Sequence, residues 1–210
     1  EKQIKVINIL NMNSGLDEKF EYLAPSGTEF FYNTPVYAIT KKILTTVSQH
    51  SLEQLTRDWL TDPAGMTETD WRQRPPAFAN VGNSTGLVTS PRDTARFGQM
   101  ILHGGIAENG DRIISADSLQ AMFERSPTNP AYGRLWWLNG GEFKIAAQSQ
   151  RKPGPLVPTA PDDLVAALGF LDRRLYIVPS MDLVVVRTGA DAPDTDFDQQ
   201  LWLRLMKTIK

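Results

Sequence analysis

The hydrophobic period of the chain changes once, near residue 130, and this constrains the fold more than any single motif. Ahead of the change, Val36, Ile39, Ile43, Leu44 and Val47 recur at helical spacing. Ser51 to Gln54 reads as a capping box for a second helix with Leu52, Leu55, Trp59 and Leu60 on its apolar side, ended by Pro63 and Gly65. "SPRDTARFGQMILHGG" opens with Ser90 as N-cap, Pro91 at the first helical position and Asp93 in the first turn, and Gly104 and Gly105 stop it. Ser115 caps a short helix through Phe123. Beyond residue 130, "YGRLWWLN", "DLVAALGF", "RRLYIVP" and "DLVVVRTG" are short β-branched or aromatic segments separated by turns. A last helix carries Phe197, Leu201, Leu205 and Ile209 as a stripe, widened by Trp202 and Met206, with Asp194 or Thr195 as its cap.

Helices, then strands, then one helix suit an α+β architecture, with helices packed on one face of an antiparallel sheet. Residues 1–130 are expected to form the mostly helical part of one domain, and residues 131–210 its sheet strands and C-terminal helix. Residues 4–12 read as a short apolar helix broken by Asn13, Ser14 and Gly15. Residues 22–35 read as loop, 72–90 as irregular, and 148–163 as a Pro-rich interruption.

Composition bears on partners and chemistry. A formal net charge of -2 argues against nucleic acid or an anionic membrane as the main partner. The pairs Arg151-Lys152 and Arg173-Arg174 read as solvated surface or local pairing. No apolar run is long enough to span a membrane. The chain starts at "EKQIKVINIL", without a methionine or a signal peptide, and this start reads as the middle of something longer. The absence of cysteine removes disulfides, thiolate metal sites and Cys nucleophiles. The only histidines are His50, just before a helix cap, and His103, at a helix C-terminus; both read as structural, which argues against a Ser-His-Asp triad and a histidine metal site. No P-loop and no GxGxxG after a strand is present. The acidic groups Asp162-Asp163 and Asp191 to Asp198 read as caps.

The chemistry left is a serine hydrolase that works without histidine, its serine activated by a lysine and a tyrosine. Tyr32, in "EFFYNTPVYAI", sits on the approach to a helix that Pro35 starts. It is either a half-buried aromatic or a phenol aimed into a cleft.

"FFYNTPVYAI" resembles the Tyr-x-Asn segment of the β-lactamase and penicillin-binding-protein-like serine hydrolases. "INILNMNSGLD" is similar to the helix and Ser-Gly-Leu turn before that loop, and "LTDPAGMTETDW" to the family's Pro-Leu-Gly-Met-x-x-Thr segment. "STGLVTSPRDTARFGQMILHGG" resembles its Gly-Leu-x-x-x-x-x-Asp-x-Ala-Arg-Phe-Gly helix, and "YGRLWWLN" and "LYIVPSMDLVVVRTG" strands of its sheet. The blocks keep the family's order over nearly the whole chain. The resemblance implies an antiparallel sheet flanked by helices beside a largely helical subdomain. It implies hydrolysis of an ester, amide or β-lactam in a small molecule or peptide through an acyl-serine, without a cofactor or metal, in a periplasmic or secreted protein. It makes Tyr32 the active-site tyrosine, its phenol facing an open cleft near Thr34 and the strand around Leu171 to Arg173. Thr34 falls where many relatives carry the asparagine of Tyr-x-Asn, with Asn33 between; both are candidate substrate contacts. Of the neighbours Trp136 and Trp137, which alternate faces, Trp137 is assigned to the acyl pocket.

Two family motifs are altered. The Ser-x-x-Lys nucleophile lies upstream of the Ser-Gly-Leu turn, where this chain begins. The one literal match, Ser149-Gln150-Arg151-Lys152, is followed by Pro153 and Pro155, which deny it the helix that would bring both side chains onto one face. On the strand near the cleft, relatives carry Lys-Thr-Gly, His-x-Gly or Gly-Gln, whereas "GFLDRRLYIVP" places Leu171, Asp172 and Arg173 there. Asp172 at that place would obstruct or repel substrate; Arg173 would hold a substrate carboxylate or pair with Asp172. The reading is a serine hydrolase whose nucleophile lies outside the 210 residues, inactive by itself, and its rival is a non-catalytic binding domain retaining the fold. With no upstream strands, "LYIVP" and "LVVVRTG" are expected to lie at an open edge beside an apolar surface, inviting self-association or an N-terminal polypeptide.

Overall fold

The computed structural model describes residues 3–76 and 82–209. Its centre is a five-stranded antiparallel sheet in the order β3-β4-β7-β8-β9. The strands are β3 (Tyr132–Gly133), β4 (Trp136–Leu138), β7 (Val165–Gly169), β8 (Arg173–Val178) and β9 (Leu183–Arg187). Two small ribbons accompany it: β1 (Asp70–Gln73) with β2 (Thr85–Val88), and β5 (Phe143–Lys144) with β6 (Lys152–Pro153). The helices are α1 (Val6–Leu10), α2 (Thr34–Ser48), α3 (Leu52–Thr56), α4 (Pro91–Leu102), α5 (Ala116–Met122) and α6 (Phe197–Thr208). None among the described residues is long and apolar enough to cross a membrane.

The register sorts the strands into two faces, because successive side chains alternate. Trp137, Ala166, Tyr176 and Val185 lie in one row across the sheet; Leu138, Val165, Ile177 and Val184 lie in the next. The first row packs with Trp202, Leu201 and Leu205 of α6. The second packs with Phe97, Met100 and Ile101 of α4 and with Leu119 and Met122 of α5. Helices therefore cover both faces, where the order of elements suggested one. β8 is apolar on both sides and reads as a continuous run for that reason. α4 lies close on the sheet through Gly98: a Cβ there would meet Val184 Cγ1 at 2.7 Å and Leu175 Cδ1 at 2.9 Å.

The helix starts follow local chemistry. The hydroxyls of Ser51, Ser90 and Ser115 accept from the backbone N–H of Gln54, Asp93 and Ser118, respectively. α3 runs straight into a π-helical turn, Arg57–Thr61.

Several expectations give way. "YGRLWWLN" is a hairpin rather than one segment: β3 and β4 join at Arg134 and Leu135, whose φ values of 45° and 71° are those of a primed two-residue turn. Neither residue favours this conformation. Distant groups hold it: Leu135 N–H donates to the Leu10 carbonyl and Arg134 N–H to Asn11 Oδ1, each at 2.9 Å. The stretch 72–90 is not wholly irregular, since β2 pairs with β1; its residues 77–81 lie outside the described residues. α6 starts after Asp196, which makes no side-chain cap bond, rather than after Asp194 or Thr195. "LYIVP" is central, in β8, and only "LVVVRTG", in β9, stands at the margin of the sheet.

Candidate active site

Asn33 positions Tyr32. Its Oδ1 caps α2 by accepting from Val36 N–H at 3.1 Å, and its Nδ2 donates to the Leu16 carbonyl at 2.9 Å. Phe31 N–H donates to the Met12 carbonyl at 2.7 Å. The segment is thus tied on both sides of Tyr32. The Tyr32 ring stacks on Trp137 with centroids 5.9 Å apart and meets the edge of Tyr132 at 6.2 Å. Aromatic contacts of this kind fix the ring plane.

Tyr32 and Trp137 line a cleft of about 750 Å³ with Leu168, Gly169, Arg173 and Leu175 of the sheet, Phe97 of α4, and Leu60, Leu87 and Leu135. The Tyr32 hydroxyl makes no hydrogen bond to any described residue. Burial first, and then Tyr37, pushes its pKa up to about 12. At neutral pH the phenol is a proton donor, and it becomes a base only if a cation arrives beside it. Because an unfolded phenol titrates near ~10, the folded state holds this proton longer. The resulting stability is complete below pH ~10 and is lost as pH rises towards about 12. Tyr132 shifts in the same direction, through burial and then Tyr32 and Tyr37, so Tyr32→Phe should remove only part of the slope. Urea midpoints measured from about pH 9 upward test this: a decline equally steep in wild type and Tyr32→Phe would contradict it.

The structure distributes the other candidates unevenly. Trp137 lines the cleft, while Trp136 is packed against Phe97 and Phe123 in the core. Asn33 is 1% exposed with both ends of its amide engaged, so it serves as a cap and cannot reach a substrate. Thr34 opens α2 and does not line this cleft. Leu171 and Asp172 are in the loop between β7 and β8, both with left-handed φ, not on a strand. Asp172 pairs with Arg174 at 2.5 Å, not with Arg173, and accepts from Ala192 N–H at 2.9 Å. Arg173, the first residue of β8, is left out of that pair. Arg173 lines the cleft, and its guanidinium makes no hydrogen bond or ion pair to a described residue.

Arg174 makes the expected local pair with Asp172, but its side chain is only 10% exposed and it also bridges elements: its Nε donates to Asp198 of α6 at 2.9 Å. Burial opposes its charge, but the hydrogen bond and the charges of Asp198 and Asp172 outweigh burial and raise its pKa. Tyr176 also donates to Asp198; burial and then that carboxylate push the phenol well up. Nothing in the sequence announces this bridge, because Asp198 lies 24 residues from Arg174.

His50 Nδ1 lies 2.7 Å from the Ser48 carbonyl at the end of α2, and His103 closes α4; neither lines the cleft. Ser149 is in a turn, its hydroxyl donating to the Ala146 carbonyl at 3.1 Å, and Lys152 is in β6, so that pair is not on a helix.

A family model described as Beta-lactamase matches residues 1–202. The 6-aminohexanoate-dimer hydrolase of Paenarthrobacter ureafaciens is 28% identical over 131 residues, which are 57% of this chain and 27% of that protein. The chain thus spans about a quarter of that curated relative. Among solved structures, a β-lactamase from Mycobacterium bovis gives a TM-score of 0.72 at 16% identity, covering 98% of this chain and 72% of that one. A family VIII carboxylesterase gives 0.70 at 14% identity, covering 100% and 72%. At these identities the structural likeness is one of fold: an antiparallel sheet with helices against it.

Proposed function

The chain belongs to the β-lactamase family, and from that premise we propose that it is the tyrosine-bearing part of a serine hydrolase whose nucleophile lies outside these 210 residues. The observation that carries this reading is the Tyr32 phenol, held by stacking at a cleft and lacking a hydrogen-bond partner among the described residues. A serine and a lysine on an adjoining helix turn would complete it. The lysine ammonium would lower the phenol's pKa. As the serine Oγ bonds to the substrate carbonyl carbon, its proton passes to the Tyr32 phenolate. The phenol returns that proton to the leaving alcohol or amine as the C–O or C–N bond breaks. Water then attacks the acyl-serine ester by the same proton transfers, releasing the acid and restoring the serine.

The substrate class is an ester, amide or β-lactam in a small molecule or peptide. Arg173, unpaired at the cleft wall, would hold a substrate carboxylate. This accords with the amide hydrolysed by a 6-aminohexanoate-dimer hydrolase, a relative by sequence. The margin of the sheet fits the same reading. β9 is half-buried throughout and, among the described strands, is paired on one side only, to β8, so a further strand, from a longer chain or a second copy, would pair with it.

The experiment is to treat the full-length protein with p-nitrophenyl acetate, trap the acyl-enzyme and map the adduct by mass spectrometry. The adduct is expected on a serine outside residues 1–210. An adduct on Ser149 or any other serine of this chain would overturn the placement of the nucleophile. No adduct at all would favour the second reading, a binding domain that retains the fold. That alternative draws on the loop standing where relatives carry Lys-Thr-Gly, His-x-Gly or Gly-Gln, in which Asp172 is engaged by Arg174 and Ala192.

A further inference from the structure

A second chamber of about 480 Å³ adjoins the cleft, with Leu60, Leu87 and Leu135 lining both. Its walls combine an apolar, aromatic surface with two cations. Leu44, Leu52, Leu55, Trp59 and Trp71 supply the surface, and Lys41 of α2 and Arg74, just past β1, supply the charges. Among the described residues that line it there is no aspartate or glutamate.

The two cations are engaged differently. Lys41 Nζ donates to Thr85 Oγ1 at 2.7 Å, to the Thr85 carbonyl at 2.9 Å and to Asn83 Oδ1, all neutral acceptors. Its three donors are filled, but its charge is uncompensated. Burial, and then Arg74, hold its pKa below the ordinary lysine value. The Arg74 backbone N–H donates to the Ser84 carbonyl at 2.8 Å, and its guanidinium makes no hydrogen bond or ion pair to a described residue. Gly86 faces it; a Cβ there would stand 3.0 Å from Arg74 Nε, so the missing side chain leaves the guanidinium room. The Trp71 ring, 5.3 Å from Lys41 Nζ, is fixed by its indole N–H donating to Thr56 Oγ1 at 2.7 Å. Trp59 is 61% exposed, a large apolar ring left in water at the chamber.

Two like charges beside apolar walls repel and are poorly solvated, and a single anion between them relieves both costs. A guanidinium with free N–H groups matches a carboxylate in a two-bond fork. Pockets that are mostly apolar with a few convergent polar groups are the usual form of a small-molecule site. We propose that this chamber is a binding site for an organic carboxylate with an apolar body, the carboxylate on Arg74 and the body against Trp59, Trp71 and Leu55. The site goes beyond the hydrolase reading and stands without it, since binding here needs no reacting group.

Calorimetric titration of the full-length protein with sodium octanoate and, as a neutral match, octan-1-ol tests the assignment. Octanoate is expected to bind at one site and octan-1-ol ~10-fold more weakly, a difference of the size that a charge-assisted hydrogen-bond pair gives. Arg74→Gln should lower octanoate affinity to the level of octan-1-ol, and Arg74→Lys should keep part of the difference. Trp59→Ala, a change at an exposed position, should weaken both ligands. The proposal fails if octanoate does not bind, if the two ligands bind equally to wild type, or if Trp59→Ala leaves octanoate unaffected. It fails equally if octanoate affinity follows Arg173→Gln instead of Arg74→Gln, because the anion would then sit in the Tyr32 cleft.

Discussion

On the proposed mechanism, Tyr32→Phe should lower acylation of the full-length protein by at least ~100-fold, the loss typical of removing a positioned acid/base group. The substitution removes one oxygen and leaves the ring. The stacking on Trp137 and the edge contact with Tyr132 involve the ring, so the local fold should persist. The hydroxyl has no hydrogen-bond partner among the described residues, so its removal breaks no bond there. On the proposed mechanism, what goes is the group that would take and return the serine proton. The effect should therefore appear in the acylation rate with p-nitrophenyl butyrate, while the urea midpoint at neutral pH stays close to that of wild type. Turnover unchanged in Tyr32→Phe would remove Tyr32 from the mechanism. A large loss of stability in the same variant would mean that the hydroxyl is structural.

Trp202→Ala should cost about 3–5 kcal/mol, the range for truncating a buried tryptophan. That is a large share of the ~5–15 kcal/mol by which folded proteins exceed their unfolded chains. Trp202 is 0% exposed and joins α6 to the sheet through an edge contact with Tyr176 at 5.5 Å. Its loss would open a cavity between the helix and the first face of the sheet, and Tyr176 carries the hydroxyl that reaches Asp198 of the same helix. Trp202→Phe separates volume from polarity. The indole N–H is buried without a hydrogen-bond partner, so phenylalanine loses some volume but also removes an unsatisfied donor. Its cost should be well below that of alanine. Urea unfolding followed by circular dichroism provides the comparison, and equal costs for the two variants would show that α6 does not rest on this side chain.

The division between what could be read from the sequence and what could not follows the range of the forces involved. Hydroxyl caps at Ser51, Ser90 and Ser115 act over three residues, and all three are where the sequence places them. The apolar runs of β7, β8 and β9 are legible because these strands lie between helices on both faces, so most residues along each are apolar. The family was legible too, since its blocks stand in order from the Ser-Gly-Leu turn to the last strand.

The rest depends on where distant segments meet. Arg134 and Leu135 look like strand residues by type, and they turn the chain only because Leu10 and Asn11 supply partners. Asp172 sits next to Arg173 in sequence, yet its carboxylate pairs with Arg174, and the Arg173 guanidinium is left unpaired at the cleft. Lys41 and Arg74 are separated by a helix, a π-helical turn and a strand, and no local pattern pairs them. By itself the sequence determined the helix starts at Ser51, Ser90 and Ser115, the strand segments of β7, β8 and β9, and the presence of Tyr32 on the approach to α2. Only the tertiary structure decided which side chains share a cavity, because side-chain contacts form between surfaces that folding brings together, and spacing along the chain carries no information about that distance.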